Sequence, residues 1–232
     1  MNRLYPSLLM RHGRLAACAV LAWTAPVGIV RAEAPGRADT DAYEAQILKW
    51  QKPIQIHRWI AANFTYDRAR AIALSETQRS RGVRFRIHHP ASFLRQPAGI
   101  CVDLSRFAVE TMRRIAPQAQ PKYLKIKFDP VRIKGNVLRL HWIASFRRQG
   151  KFYFFADSHY PRRLSGPFKS VASFIKTYQD ARGRRIISYR LVDSYRKERR
   201  KMRKRTMAQR PSDRTTDRSM DNVRKKRQRR PK

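Results

Sequence analysis

The chain has 232 residues, of which 53 are Lys or Arg and 16 are Asp or Glu, so its formal net charge is +37. Hydrophobic residues make up 42% of the sequence and aromatic residues 10%, which is enough for a packed core and excludes a chain that is disordered throughout. The charge predicts attraction to polyanions such as nucleic acid, anionic lipid headgroups or acidic polysaccharide, but it does not indicate a fold.

Residues 1–32 have the pattern of a secretory signal peptide. Basic residues precede an apolar run over residues 15–30, and Val30 and Ala32 are the small residues that a cleavage site after Ala32 requires. Pro26 breaks the run, which is short for a membrane span. The sequence therefore predicts a periplasmic or secreted protein.

Two other interpretations of this segment remain open. Residues 15–18 resemble a lipoprotein processing box at Cys18, although the apolar stretch mostly follows that cysteine, and the segment could also stay uncleaved as an anchor. Cleavage near Ala32 leaves Cys101 as the only cysteine of the mature chain. A lone thiol in an exported protein is oxidised unless it is buried or used, which favours a functional role.

Helices are predicted for the first part of the mature chain. Residues 33–52 form a polar leader and a first helix, for which Thr40 or Asp41 is the expected cap. A second helix follows Pro53, and residues 90–96 predict one helical turn. Residues 68–89 are basic and weakly periodic and give no assignment. The doublet His88-His89 within them is expected to be solvated or to cap a helix rather than to bind a metal.

Residues 97–107 predict a loop that breaks into a helix with Cys101 on its first turn. The helix carries one apolar stripe at three- and four-residue spacing, made of Leu104, Phe107, Ala108, Thr111, Met112 and Ile115. The unpaired N–H groups and the dipole of a helix N-terminus favour a nucleophilic thiolate. Gly99 is expected to leave room for a substrate carbonyl. The alternative is a buried structural cysteine that begins a core helix.

Alternating hydrophobicity then predicts antiparallel strands. They are expected near residues 124–128, 138–146, 151–157 and 185–192, with a turn over residues 129–136 and a short helix through residues 168–178 that stops near Gly183. Helices followed by an antiparallel sheet with an inserted helix predict an α+β domain over residues 53–194.

Residues 195–232 predict a disordered basic tail. They hold 18 Lys and Arg against 4 Asp and Glu, and their hydrophobic periodicity disappears. The expected partner of this tail is an anionic cell-envelope surface or another polyanion. Nucleic acid is a less favoured partner.

A hairpin between the second and third strands brings two polar residues together in the sequence interpretation. A three-residue loop over residues 148–150 would pair Arg147 with Lys151 and place His141 opposite Asp157, with Cβ atoms ~4.5–5.5 Å apart. A shift of one residue would move Asp157 to the other face. If the helix of Cys101 packs on the His141 face, the three groups meet. Otherwise the pair is an ordinary exposed cross-strand contact.

The roles of the three residues then follow from their chemistry. Cys101 would be the nucleophile, His141 the base and later the acid, and Asp157 the group that orients the imidazole and stabilises its cation. Cys101 opening a helix, the pair His141-Trp142 about 40 residues later and Asp157 at the end of the next strand resemble the transglutaminase-like branch of the papain-type cysteine enzymes. Residues 59–66 resemble the segment that precedes the cysteine in that family.

The resemblance covers roughly residues 54–157 and implies a papain/transglutaminase-like core, in which the nucleophile helix packs on an antiparallel sheet. It also implies a Cys-His-Asp triad and amide chemistry, either peptide hydrolysis or acyl transfer to an amine. Bacterial relatives include cysteine proteases, and a protein or peptide is the expected substrate. Ser158 stands where many members have proline, and no tryptophan follows Cys101, so a peptidase or amidase is favoured over a crosslinking enzyme.

The expected oxyanion donor is the backbone N–H of Cys101, and the side chains of Gln96 and Trp59 are weaker candidates. No metal and no cofactor are predicted, because no cluster of His and Cys has metal-ligand spacing. The resemblance to bacterial proteases that process surface adhesins would allow calcium, but no carboxylate cluster in the sequence supports it. Two alternatives to an enzyme remain: an inactive fold of this class that binds polyanions, and a cytosolic nucleic-acid-binding protein.

Overall fold

The computed structural model describes residues 35–83, 86–197 and 200. The predicted signal peptide and most of the predicted tail lie outside these residues. Within the part that is described, no helix is both long and apolar enough to cross a membrane.

Most helices come in the first half of the described chain, and most strands come after them, with one helix inserted before the last strand. The helices are α1 (Arg37–Lys49), α2 (Pro53–Asn63), α3 (Arg68–Ala73), α4 (Glu76–Ser80), α5 (Pro90–Arg95), α6 (Cys101–Ile115) and α7 (Val171–Arg182), with a 3-10 turn at Pro117–Ala119. The strands are β1 (Thr65–Tyr66), β2 (Ala98–Gly99), β3 (Lys122–Ile133), β4 (Asn136–Arg148), β5 (Lys151–Phe155), β6 (Ser165–Phe168) and β7 (Ile186–Val192). This order confirms the predicted α+β class.

A five-stranded antiparallel sheet forms the centre, with the strand order β6-β5-β4-β3-β7. Strands β1 and β2 form a separate parallel pair that joins the end of α2 to the start of α6. One core cluster holds the apolar faces of α1, α2, α5 and α6 against Tyr123, Trp142, Ala144, Phe146 and Phe155 of the sheet. A second cluster packs α7 on the other face through Leu124, Ile126, Phe128, Ile143 and Phe154. The sheet is therefore covered by helices on both faces.

Several predicted boundaries are wrong. Helix α1 begins three residues before Thr40, with Gly36 as its cap. Strand β3 runs through the predicted turn with an irregularity between Lys127 and Val131, and the chain reverses only at residues 134–135, both of which have positive φ. Helices α3 and α4 form in the unassigned segment, and β6 was not predicted.

The start of the predicted tail is part of the folded domain. Tyr195 is 7% exposed and packs in the core cluster, with its ring 6.0 Å from that of Tyr123 and beneath the guanidinium of Arg106. Burial of this aromatic ring removes apolar surface from water and so stabilises the fold. The sequence pattern did not indicate this, because the residues after Tyr195 are mostly polar.

The predicted hairpin register is also wrong by one residue. Arg148, not Arg147, pairs with Lys151, because the loop has two residues instead of three. Gln149 and Gly150 both have positive φ, 50° and 73°, which is the conformation of the tight turn that suits the right-handed twist of a hairpin. In this register a continued strand would direct Asp157 away from the His141 face.

The helix of Cys101 packs on the face opposite to the one that the sequence interpretation required. Helix α6 lies against Trp142, Ala144 and Phe146, whereas His141 and Ile143 belong to the face covered by α7. Contact between Cys101 and His141 therefore depends on features outside the regular sheet.

Candidate active site

Cys101 is the first residue of α6, and it is buried and not in a disulfide. Ile100 is the N-cap, and its backbone N–H donates to the carboxylate of Asp103 at 3.1 Å. The thiol therefore lies where the remaining backbone N–H groups and the positive end of the helix dipole face outward. This environment favours an anion at Cys101.

Asp103 holds the start of α6 in place. It is fully buried and accepts two hydrogen bonds from Arg70, at 2.7 Å from Nε and 3.0 Å from Nη2, and one from the backbone N–H of His88 at 2.8 Å. A Cβ atom at Gly99 would lie 2.9 Å from Cβ of Asp103. The absence of a side chain at Gly99 therefore makes room for Asp103. The predicted role of Gly99 in leaving room for a substrate carbonyl stays a prediction.

His141 and Asp157 form a buried pair, with 2.9 Å between Nε2 of the imidazole and Oδ1 of the carboxylate. The pair forms despite the shifted register because β5 ends at Phe155 and Ala156 has a φ of 58°. This left-handed residue interrupts the alternation of faces, and it lets Asp157 reach the imidazole.

Pairing between β4 and β5 begins at Ala144, so no β5 residue pairs with His141. The side chain of Cys101 helps to raise the pKa of His141, so the thiol and the imidazole are neighbours. Because Asp157 uses Nε2, Nδ1 is the nitrogen that can exchange a proton with the thiol.

The electrostatics of the site favour an ion pair between His141 and Asp157. Burial lowers the pKa of His141, but the charge and hydrogen bond of Asp157, together with the hydrogen bond and charge of Cys101, raise it to about 9. Burial raises the pKa of Asp157, but His141 and the hydrogen bonds from Tyr178 and His159 lower it to about 2.

Tyr178 is a component of the site that the sequence interpretation missed. Its hydroxyl donates a 2.6 Å hydrogen bond to Oδ2 of Asp157, while the backbone N–H of His159 donates to Oδ1 at 2.8 Å. The Tyr178 ring is nearly parallel to the imidazole of His141, with 6.3 Å between centroids. The sequence placed Tyr178 only on the apolar stripe of its helix. A buried tyrosine hydroxyl usually needs a hydrogen-bond partner, and this rule could have indicated that Tyr178 contacts a polar group.

Tyr66 lies on the helical side of the site. Strand β1 pairs Tyr66 with Gly99, two residues before Cys101. Burial raises the pKa of the Tyr66 hydroxyl to about 12, and the charge of Cys101 is the next contribution. The phenol is therefore close enough to Cys101 to respond to its charge.

The two weaker oxyanion candidates lie in different environments. Gln96 is exposed at the end of α5, five residues before Cys101. Trp59 is partly buried and packs against the first core cluster, with its ring 4.9 Å from that of Phe107 and 5.9 Å from that of Trp50. A donor role for either side chain stays a prediction. Among the residues that the structure describes, no group of three or more His, Cys, Asp or Glu side chains could hold a metal ion.

Comparison with curated proteins gave no match. The sequence matches the transglutaminase-like domain over residues 45–162, a segment that runs from α1 to the loop after β5 and contains Cys101, His141 and Asp157. This match covers about half of the chain and agrees with the α+β fold. The chain belongs to the transglutaminase-like domain family.

Proposed function

We propose that this protein is an exported cysteine enzyme that cleaves amide bonds through a thioester intermediate. The observation that carries the proposal is the buried contact of 2.9 Å between Nε2 of His141 and Oδ1 of Asp157. Cys101 stands at a helix N-terminus and helps to raise the pKa of the same imidazole. Nucleophile, base and orienting carboxylate in this order are the requirements of a cysteine triad.

In the proposed acylation step the Cys101 thiolate attacks the carbonyl carbon of the substrate amide. The backbone N–H of Cys101, at the start of α6, stabilises the oxyanion that develops. The tetrahedral intermediate collapses as the His141 imidazolium gives its proton to the leaving nitrogen, so an amine leaves and a thioester remains. Asp157 orients the imidazole and stabilises its cation throughout.

In deacylation the neutral imidazole takes a proton from a water molecule, which attacks the thioester carbonyl. The proton returns to the Cys101 sulfur, and the acid product leaves. An amine in place of the water would give acyl transfer, the other reaction that the family resemblance implies. We favour hydrolysis, since the tryptophan that follows the cysteine in animal transglutaminases is absent from this sequence.

Alkylation of Cys101 tests the proposal without a known substrate. Iodoacetamide should modify Cys101 rapidly at mildly acidic pH, because a neighbouring imidazolium stabilises the thiolate. His141→Ala should slow this reaction, whereas His159→Ala, which removes an imidazole whose ring lies outside the pair, should not. Rates against pH are followed by mass spectrometry of the intact protein. Superimposable profiles for wild type and His141→Ala would show an inert core cysteine.

Tyr178→Phe should lower turnover by about 10-fold, because a hydrogen bond to a buried charged group is lost. The hydroxyl helps to hold the pKa of Asp157 low, so its loss should raise that pKa and move the acidic limb of the kcat/KM profile to higher pH. Tyr160→Phe is the matched control, since its hydroxyl bonds the Ala181 carbonyl instead. A change in turnover with an unmoved acidic limb would contradict a role through Asp157.

The alternative proposal is that the protein has this fold but is not an enzyme and instead binds polyanions. The excess of 18 Lys and Arg over 4 Asp and Glu in residues 195–232 supports binding of an anionic cell-envelope surface or another polyanion. The folded segment is itself basic, with 33 Lys and Arg against 11 Asp and Glu between residues 35 and 197. An inert Cys101 in the alkylation experiment would favour this binding protein over the enzyme.

A further inference from the structure

Arg182 is a basic residue beside the candidate active site that the proposed reaction does not use. It is the last residue of α7 and follows Tyr178 by four positions, so the two side chains lie on the same face of the helix. The guanidinium carbon lies 5.7 Å from the ring centroid of Phe128 and 5.9 Å from that of Tyr160. The Phe128 ring is in turn 6.3 Å from the imidazole of His141.

The charge of Arg182 has no acidic counterpart in the part of the chain that the structure describes. Its Nε and Nη1 atoms are buried and have no hydrogen-bond partner among those residues. Buried donors are nearly always paired, and a partly desolvated cation without a counter-charge is costly. Contact with two aromatic faces offsets only part of that cost.

Other buried arginines of the domain differ in this respect. Arg70 pairs with Asp103, and Arg106 pairs with Glu110 at 3.0 Å while it also donates to the backbone carbonyls of residues 87 and 88. The protein itself supplies acceptors for both of these arginines, which serve the structure. Arg182 retains binding capacity, which indicates that its acceptor comes from outside the domain.

The ring of Phe128 lies between Arg182 and the candidate active site, because it contacts both the guanidinium and the imidazole of His141. Burial raises the pKa of Tyr66, the charge of Cys101 raises it further, and the charge of Arg182 acts in the opposite direction. Tyr66 stands on β1 and Arg182 on α7, so both Cys101 and Arg182 act on one phenol from different elements. The cation therefore lies near both the imidazole of His141 and the phenol of Tyr66.

We propose that Arg182 binds a carboxylate of the substrate, so that the preferred substrates are peptides with a carboxylate close to the scissile amide bond. This inference rests on the proposed function. Guanidinium groups form charge-assisted hydrogen bonds with carboxylates, and the N–H groups of Arg182 that lack a protein acceptor supply the donors. The basic surroundings add long-range attraction for an acidic peptide.

Two alkylating reagents of similar size test the proposal on the full-length protein. Iodoacetate carries a carboxylate, and iodoacetamide is its neutral amide. Arg182→Gln should lower the ratio of the iodoacetate rate to the iodoacetamide rate at Cys101 by about 10-fold, since one charge-assisted contact is lost. Arg182→Lys should lower it less. Arg185→Gln is the control, because it removes the same charge from an exposed side chain that pairs with Asp129.

An unchanged ratio in Arg182→Gln, or an equal loss in Arg185→Gln, would overturn the proposal. Inertness of Cys101 toward both reagents would contradict the proposed function instead. In that case the role of Arg182 is tested by the equilibrium binding of a glutamyl peptide and its glutaminyl counterpart to the Cys101→Ser protein. This measurement needs no reactive thiol. Tighter binding of the glutamyl peptide that Arg182→Gln removes would support the proposal, and equal binding would overturn it.

Discussion

Replacement of Asp157 by asparagine should lower amide turnover by about 10²–10⁴-fold while the circular dichroism spectrum stays unchanged. The carboxylate accepts hydrogen bonds from Nε2 of His141, from the Tyr178 hydroxyl and from the backbone N–H of His159. Asparagine has nearly the same shape, but it is neutral and has only one acceptor oxygen. The variant would therefore keep the packing and lose the orientation and stabilisation of the imidazolium.

The pH dependence of the same variant separates this role from simple structural damage. Burial lowers the pKa of His141, but the charge and hydrogen bond of Asp157 together with Cys101 raise it to about 9, and the pKa of Asp157 is held at about 2. The ion pair is thus present between these limits. Loss of the anion lowers the pKa of His141, so the alkaline limb of the kcat/KM profile should move to lower pH.

Asp180→Asn is the matched control for that experiment, because it makes the same change on an exposed residue of α7. Cys101→Ser should abolish turnover, and the losses from Cys101, His141 and Asp157 should be strongly non-additive since a triad acts as a unit. An alkaline limb that stays in place in Asp157→Asn would contradict the proposed coupling between Asp157 and His141.

Asp103→Ala should destabilise the folded domain by about 3–5 kcal/mol, the cost of leaving a buried charge unpaired. The change removes both acceptors of the Arg70 guanidinium and the acceptor of the backbone N–H groups of Ile100 and His88. For a domain of this size the melting temperature should fall by roughly 6–20 °C. Thermal unfolding followed by circular dichroism measures the effect.

Asp129→Ala is the control for Asp103→Ala. It breaks an ion pair with Arg185 whose side chains are 42% and 74% exposed, so solvent screens the interaction and the melting temperature should stay nearly constant. Equal melting temperatures for the two variants would show that the buried pair does not hold the start of α6. A lower alkylation rate of Cys101 in Asp103→Ala would indicate that the nucleophile helix loses its position.

Local patterns were sufficient for the elements that carry the site. The stripe that follows Cys101 and the Ala116-Pro117 stop predict α6, and the alternation before and after residue 150 predicts β4 and β5. These signals depend on the period of side chains along one segment, which is a property of the segment itself. They do not depend on what the segment packs against.

The hairpin shows where local patterns fail. Glycine at position 150 suits both a two-residue and a three-residue loop, and only pairing along the full length of β4 and β5 selects between them. The selected register would separate His141 from Asp157. The left-handed backbone of Ala156 then compensates, and no rule of sequence predicts positive φ at an alanine.

The sequence by itself determined the α+β class, the helix that begins at Cys101, the strand of His141 and the strand that ends just before Asp157, because hydrophobic period and turn residues are encoded locally. Tertiary structure alone decided which face of the sheet α6 covers, that Tyr178 reaches Asp157, and that Arg182 has no acidic partner among the described residues. Those contacts join segments far apart in the chain. They depend on how whole faces pack, and no short stretch of residues specifies that packing.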